Sequence, residues 1–225
     1  MIAVIGGGQV GTYHARQLLK AIRSGRLPGE ELLVVDRDPG CQAFRELEGA
    51  GEVSAVRADW EEFLRRWLTE ASDRDSMIPP PWAPHLLGDW VRRQTGAVEE
   101  PPPRGWRLPY EVVSGATLYL SAAAWLCPAT CVEPAHCPAL HAPRDWDLGD
   151  LIEAGARERG YLPLVFRLAH LGGGVAAVPA REIRDAALAL REGAPGPALV
   201  ATSSRCHAAV AGIRTSTSGP RGLKS

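Results

Sequence analysis

Four cysteines have the residue type and the spacing that a metal centre needs. Cys127, Cys131 and Cys137 follow the pattern C-x3-C-x5-C, with proline after the first and third, and Cys206 supplies a fourth thiol from a distant segment. Four thiolates bind either a structural zinc ion or an iron–sulfur cluster. Because a close trio with one remote cysteine favours iron and sulfur, we expect a 4Fe-4S cluster, with zinc as the alternative.

Three histidines near these cysteines offer a different ligand set. His136, His141 and His207 could each replace a thiolate, and a mixed cysteine and histidine site favours zinc. The opposite interpretation is that the thiols are small buried apolar residues. Cys41 lies in a separate turn and is interpreted as an incidental thiol.

A glycine-rich turn near the start of the chain has the pattern of a phosphate-binding loop. Gly6, Gly8 and Gly11 match G-x-G-x-x-G, and they lie between an apolar run that predicts a strand and residues at helical spacing. Such glycines allow a tight turn, a close approach of the backbone to a pyrophosphate, and tight packing of helix on strand. A second run, Gly172 to Gly174, predicts either another phosphate-binding turn or a plain loop.

The second predicted strand ends in an acid. Asp36 follows the apolar run from Leu32 to Val35, where a carboxylate would accept hydrogen bonds from both hydroxyls of a ribose. It would also repel a 2′-phosphate, which favours NAD over NADP, although the adjacent Arg37 weakens the preference and leaves NADP possible.

This first segment of about 80 residues resembles the NAD(P)-binding Rossmann-fold superfamily. The resemblance rests on Gly6-Gly7-Gly8-Gln9-Val10-Gly11 in its strand and helix context. It implies that the cofactor is held by Gly6, Gly8, Gln9, Val10, Gly11 and Asp36.

Composition limits the partners that the chain can have. It has 225 residues, a formal net charge of -1 and 45% hydrophobic residues, so we expect an ordinary buried core and no nucleic acid partner. No apolar run approaches the roughly 20 residues of a membrane span, and no secretory signal is recognisable, which predicts a cytoplasmic protein with no membrane partner. The sequence does not determine the oligomeric state.

The distribution of apolar runs predicts an α/β fold in two parts. Residues 1–98 read as a Rossmann-like region with a parallel sheet, and residues 99–105, with three consecutive prolines, as a stiff connector. Residues 106–213 read as a smaller α/β region that carries the metal site, and residues 214–225 as a frayed tail.

Together these features predict an NAD(P)-binding redox protein with a cysteine-ligated metal centre. We expect an oxidoreductase or an electron-transfer component, which would need a redox partner protein. One alternative is a regulatory sensor of NAD(H) or redox state with a structural zinc, and another is a small NAD-dependent dehydrogenase of a tetrapyrrole-like precursor. No substrate motif is present, and His85, His170 and His207 are candidate general acids or bases by residue type alone.

Overall fold

The computed structural model describes residues 1–27, 31–80, 85–127 and 130–216. The fold is a mixed α/β one, which confirms the predicted class in this broad sense. The chain divides into two compact units, each assembled from separate segments. Unit 1 comprises Met1–Pro80, Cys127–Pro134 and Leu168–Glu182, and unit 2 comprises Pro81–Leu126, Ala135–Arg167 and Ile183–Ser225.

The strands and helices of the described residues are numbered in chain order. The strands are β1 (Ile2–Ile5), β2 (Leu32–Asp36), β3 (Val53–Arg57), β4 (Ser76–Ile78), β5 (Val98–Glu100), β6 (Tyr110–Ser114), β7 (Thr117–Ser121), β8 (His136–Cys137), β9 (Ala142–Pro143), β10 (Leu162–Arg167), β11 (Ala169–Gly172), β12 (Val175–Pro179), β13 (Pro197–Ser203) and β14 (His207–Arg214). The helices are α1 (Gln9–Arg23), α2 (Gln42–Glu46), α3 (Trp60–Glu70), α4 (Leu86–Thr95), α5 (Leu148–Glu158) and α6 (Ala180–Glu192).

Unit 1 is built on a six-stranded sheet with the order β11-β12-β4-β1-β2-β3. Strands β4, β1, β2 and β3 run parallel, and β12 joins β4 in the antiparallel sense. Strand β1 is buried along its whole length, as expected for a central strand of a parallel sheet that is covered on both faces. Helix α1 packs on it through Ala15, Leu18 and Leu19, which recur at helical spacing.

Helix α3 begins where the sequence indicates. The side chain of Asp59 caps its amino terminus by accepting a 2.9 Å hydrogen bond from the Glu61 backbone N–H, as expected for an aspartate directly before a run of helical periodicity. The buried face of this helix consists of Phe63, Leu64, Trp67 and Leu68. These four residues recur at helical spacing, so the apolar periodicity of the sequence indicates the face that the helix buries.

Unit 2 contains a mixed sheet in which β10, β13, β14, β7 and β6 follow one another. Strand β14 pairs with β7 up to the Ala211–Thr117 pair, and then with β5 from the Gly212–Glu100 pair onward. Helices α4 and α5 pack against β13 and β14. The core of the unit includes Trp106, Leu118 and Ile152.

The domain organisation differs from the sequence-based prediction of one boundary at residues 99–105. Glu99 and Glu100 of the predicted connector belong to β5, because their backbone pairs with β14. Strands β11 and β12, predicted within the second region, extend the sheet of unit 1. Arg214 of the predicted tail ends β14, and residues 217–225 of that tail lie outside the described residues. The sequence also predicts a helix from Pro84 to Arg93, of which Pro84 lies outside the described residues. None of the helices in the described ranges combines the length and apolar character that a bilayer span requires.

Candidate functional site

The glycine-rich turn lies in unit 1 between β1 and α1, at the carboxyl end of the parallel strands. Gly6 has a φ of +94°, a conformation that L residues other than glycine rarely adopt, and its N–H donates a 2.8 Å hydrogen bond to the Val35 carbonyl oxygen. Gly8 is the N-cap of α1, and no side chain caps this end of the helix. Gly8 therefore leaves the first N–H groups of α1 without an acceptor from the N-cap side chain, and these groups have no intrahelical acceptor either.

The glycines of the turn differ in what surrounds them. A Cβ on Gly11 would lie 1.7 Å from the Gly6 carbonyl oxygen, and one on Gly7 would lie 2.3 Å from Cys41 Sγ, so close packing within the protein explains both residues. A Cβ on Gly8 would meet no atom within 4 Å, and the φ of Gly8 is -75°. Neither crowding within the described residues nor backbone strain requires glycine at position 8.

The Asp36 carboxylate accepts two backbone hydrogen bonds, one of them from the glycine turn. Its Oδ2 accepts from the Gly7 N–H at 2.7 Å, and its Oδ1 accepts from the Asp38 N–H at 2.9 Å. An ionised carboxylate has about four lone-pair sites, so each oxygen keeps capacity for a further donor. The carboxylate is thus fixed in position beside the turn and can still accept hydrogen bonds.

Two further residues contact the glycine turn and were not predicted from the sequence, namely Thr12 and Trp60. The Thr12 hydroxyl is buried and donates to the carbonyl oxygens of Gly8 at 2.8 Å and Gly7 at 3.3 Å, which holds the turn against α1. The Trp60 ring lies 3.5 Å from the position a Cβ on Gly6 would take, and its buried Nε1 has no hydrogen-bond partner within the described residues. The sequence does offer a signal for Thr12, because a hydroxyl on the apolar face of α1 must find a hydrogen-bond partner. Nothing in the sequence indicates that Trp60 faces the turn.

The cofactor-binding residues predicted from the sequence lie around this one edge of the sheet. Gly6, Gly8 and Gly11 form the turn, and Asp36 ends the adjacent strand β2. Gln9 and Val10 are the first two residues of α1, where Gln9 is exposed and Val10 is half-buried.

The second glycine run, Gly172 to Gly174, has a structural role within unit 1. Gly172 ends β11, Gly173 and Gly174 form the turn to β12, and all three have positive φ. The Gly173 carbonyl oxygen accepts a 3.4 Å hydrogen bond from the Tyr13 hydroxyl on α1. This run is therefore a hairpin turn that packs on α1.

The four predicted metal ligands are divided between the two units. Cys127 and Cys131 belong to unit 1, and Cys137 and Cys206 belong to unit 2. All five cysteines lie in the described ranges, and none forms a disulfide. Across those ranges, no group of three or more cysteine, histidine or acidic side chains has the proximity that a metal ion requires. Pro128 and Ala129, between the first two cysteines, lie outside the described residues. The four-cysteine metal centre thus stays a prediction.

Cys137 has surroundings that favour a thiolate. It is buried at the end of β8, which pairs with β9 in a short hairpin. Burial acts to raise the pKa of its thiol, but hydrogen bonds from the backbone N–H groups of Leu140 and Ala139, together with the charge of Arg144, outweigh burial and lower the pKa. His141, an alternative ligand, ends this hairpin loop with a φ of +52°. Cys131 Sγ accepts a 3.4 Å hydrogen bond from the Glu133 backbone N–H.

The three candidate acid–base histidines have different surroundings. His85 is the N-cap residue of α4, is 7% exposed, and lies with Nε2 2.7 Å from Thr202 Oγ1. Burial lowers the pKa of His85 to about 4, so its ring is neutral at pH 7. His170 lies with Nε2 3.4 Å from Glu133 Oε2 within unit 1, and His207 is exposed at the start of β14.

Comparison with known proteins assigns the second part of the chain. The model of the AF_1314_C family, described as "Uncharacterized protein, C-terminal domain", matches residues 82–216, more than half of the chain. The chain therefore belongs to this family. No curated protein and no solved structure matches it.

This finding corrects the resemblance drawn from the glycine turn. The assignment to the NAD(P)-binding Rossmann-fold superfamily is wrong, because no family model of that kind matches the chain and the match that is found covers residues 82–216. The motif misleads because the tight turn and the close packing of helix on strand can themselves require glycine, as at Gly6 and Gly11, so the pattern alone does not define a family.

Proposed function

We propose that unit 1 binds a dinucleotide at the glycine turn, with NAD(H) preferred over NADP(H). The observation that carries this proposal is the open space at Gly8. Every other glycine of the turn is explained by contacts or backbone conformation within the protein, whereas a Cβ at position 8 would project into a volume free of described protein atoms. A pyrophosphate that approaches the backbone there would explain why the residue is glycine.

The amino terminus of α1 supplies the attraction for the phosphate. Its 15 residues align peptide dipoles that place roughly half a positive charge at this end, and Gly8 offers no side chain to compete for the N–H groups. Anions bind such helix ends without a lysine. In this proposal, the N–H groups of Gln9 and Val10 donate to the phosphate oxygens.

Asp36 would discriminate between NAD(H), whose ribose has a free 2′-hydroxyl, and NADP(H), whose ribose carries a 2′-phosphate. Its carboxylate oxygens, each already held by one backbone N–H, keep acceptor capacity for the two ribose hydroxyls of NAD(H). A 2′-phosphate at the same place would meet a like charge, which disfavours NADP(H). The adjacent Arg37 reduces this repulsion without removing it.

The sheet supports the proposal independently of family membership. The parallel order β3-β2-β1-β4 corresponds to the half of a doubly wound sheet that binds a mononucleotide, so we propose a Rossmann-like arrangement for this part of unit 1. In open sheets of this kind, ligands bind outside the carboxyl ends of the strands, the edge at which Gly6 and Asp36 lie.

Calorimetric titration of the full chain with NADH and NADPH tests the proposal. We expect saturable, one-to-one binding of NADH, with NADPH at least about tenfold weaker, a difference of about 1.4 kcal/mol. Absence of saturable binding for both nucleotides would refute it.

A cysteine-bound metal is the second candidate function, and the surroundings of Cys137 favour it. Two backbone N–H groups and Arg144 stabilise its thiolate, the form that binds zinc or an iron–sulfur cluster. Metal analysis and an ultraviolet–visible spectrum of anaerobically purified protein distinguish a zinc ion from an iron–sulfur cluster. Stoichiometric iron with a bleachable brown colour supports a redox enzyme, and stoichiometric zinc supports a structural role. Protein with neither metal would exclude this candidate.

Turnover then separates an enzyme from a sensor. Oxidation of NADH by a dye or by a redox partner protein supports an oxidoreductase or electron-transfer component. A protein that binds NADH and leaves it unchanged supports a regulatory role.

A further inference from the structure

A second pocket, in unit 2, has no part in the proposed dinucleotide site. It is a cavity of about 340 Å³ between α4 and the sheet, at the point where β14 changes its partner from β7 to β5. All of its lining residues belong to unit 2 and to the segment matched by the AF_1314_C family. A cavity of this size is within the range of small-molecule sites.

One face of α4 lines this pocket with groups that can bind a ligand. His85, Asp89 and Arg92 stand at positions i, i+4 and i+7 and therefore share one side of the helix. The long side chain of Arg92 leans toward the start of the helix, since its Nη2 lies 3.5 Å from Asp89 Oδ1. The opposite wall includes Glu99 and Thr117.

Two buried nitrogens of this face lack hydrogen-bond partners among the described residues, namely His85 Nδ1 and Arg92 Nε. His85 Nδ1 faces Gly88, another lining residue, because a Cβ on Gly88 would lie only 2.7 Å from it. A buried polar atom without a partner destabilises the folded state, so native proteins rarely retain one without a reason.

The two nitrogens require opposite partners. His85 Nε2 lies 2.7 Å from Thr202 Oγ1, and we assign the single N–H of the neutral ring to this contact, because a buried N–H without an acceptor is rarer than an acceptor without a donor. His85 Nδ1 is then an acceptor that needs a donor. Arg92 Nε always carries a proton and needs an acceptor.

The charge of the residues that line the pocket further restricts the chemical class of the ligand. Asp89 and Glu99 carry negative charge, Arg92 carries positive charge and His85 is neutral, so the lining has one excess negative charge. An ammonium group would satisfy His85 Nδ1 and the acids, and a carboxylate would satisfy Arg92. A ligand that carries both groups leaves neither nitrogen without a partner.

We propose that the pocket between α4 and β14 binds a free amino acid, with its ammonium group at His85 and Asp89 and its carboxylate at Arg92. The excess negative charge favours amino acids with a basic side chain over those with an acidic one. Binding of this kind would give the family domain a ligand of its own, whatever the glycine turn binds.

Calorimetric titration of the full chain with each of the twenty L-amino acids tests the proposal. We expect saturable binding of at least one, with basic amino acids ahead of acidic ones. For the tightest ligand, the N-acetyl derivative, which lacks the ammonium, and the amide, which lacks the carboxylate, should each bind about tenfold more weakly or worse. No saturable binding of any amino acid up to about 10 mM would overturn the proposal, and so would a derivative that binds as tightly as the parent amino acid.

Variants locate the binding. Arg92→Gln should weaken the tightest ligand about tenfold, and its matched control on the same helix, Arg93→Gln, should leave the affinity unchanged because Arg93 does not line the pocket. The melting temperature of each variant shows whether it folds. Unchanged affinity of a folded Arg92→Gln variant would place the ligand elsewhere and refute the assignment. Since Gly8 and Asp36 do not line this pocket, NADH binding should survive in both variants.

Discussion

The Gly7 backbone N–H donates a 2.7 Å hydrogen bond to Asp36 Oδ2, so the loop after the first strand is tied to the acid that ends the second. This bond brings two sequence features, 29 residues apart, to one edge of a parallel sheet. It fixes the carboxylate beside an uncapped helix end without using all of its acceptor capacity. The proposed nucleotide selectivity depends on this arrangement.

The Asp36→Asn variant tests that selectivity. The amide keeps the size of the side chain and one acceptor oxygen, but it loses the charge that repels a 2′-phosphate. We expect NADH affinity to fall about tenfold and the preference for NADH over NADPH to shrink to about threefold or less. Parallel titrations with the two nucleotides measure both effects. An unchanged preference would show that Asp36 does not contact the ribose.

Gly11→Ala tests the packing of the turn independently of any ligand. Its Cβ would lie 1.7 Å from the Gly6 carbonyl oxygen, so backbone must move, at a cost of about 3 kcal/mol. For a chain of this size we expect the melting temperature to fall by roughly 10 °C. Gly51→Ala is the control, because a Cβ there meets nothing within 4 Å. Equal melting temperatures for the two variants would contradict this packing.

The sequence predicts the first part of the fold well because its signals are local. Strand β1 covers the apolar run at the start of the sequence. Helix α3 begins directly after Asp59, the residue that caps it. In contrast, β14 was missed, since its alanine and glycine residues have low strand propensity. Its extended conformation comes from pairing with β13, β7 and β5, which are distant contacts that no local pattern encodes.

The candidate sites also differ in whether local sequence signals or contacts between distant residues create them. The glycine turn and Asp36 could be found because strand ends in a parallel sheet meet at one edge. The pocket at α4 could not, because it forms where β14 changes partner and α4 covers the gap. His85 was a candidate by type, but its partner Thr202 is 117 residues away in sequence.

The pH dependence of stability should carry the signature of His85. Burial lowers its pKa to about 4 in the folded protein, below the unfolded value of 6.5, so the unfolded chain binds the proton first as the pH falls. Stability from this residue is full above pH 6.5 and is lost between pH 6.5 and pH 4, with about 2 kcal/mol lost between pH 7 and pH 5. Urea denaturation at the two pH values measures the loss.

Comparison with the His85→Gln variant isolates this contribution. Burial also lowers the pKa of His14, and that residue remains in both proteins. The variant should lose about 2 kcal/mol less than the natural sequence between pH 7 and pH 5. Identical losses would mean that His85 is protonated in the folded protein.

The metal candidate is tested at its best-placed thiol. Cys137→Ser removes the thiolate that the backbone N–H groups of Ala139 and Leu140 stabilise, so bound zinc or iron should fall to less than about one tenth of the original content. Cys41→Ser, at a thiol that packs against Gly7, should keep the metal. Equal metal content in the two variants would exclude Cys137 as a ligand.

The most direct test of the central claim compares NADH binding by Gly8→Ser and Gly51→Ser. Both positions accept a Cβ without a clash, and serine is a good N-cap residue, so both variants should fold with little change in melting temperature. At position 8, however, the new side chain fills the space proposed for the pyrophosphate and caps the N–H groups that would bind it. We predict NADH affinity at least about a hundredfold weaker for Gly8→Ser and unchanged for Gly51→Ser. Equal NADH affinity of the two variants would contradict a nucleotide site at this turn.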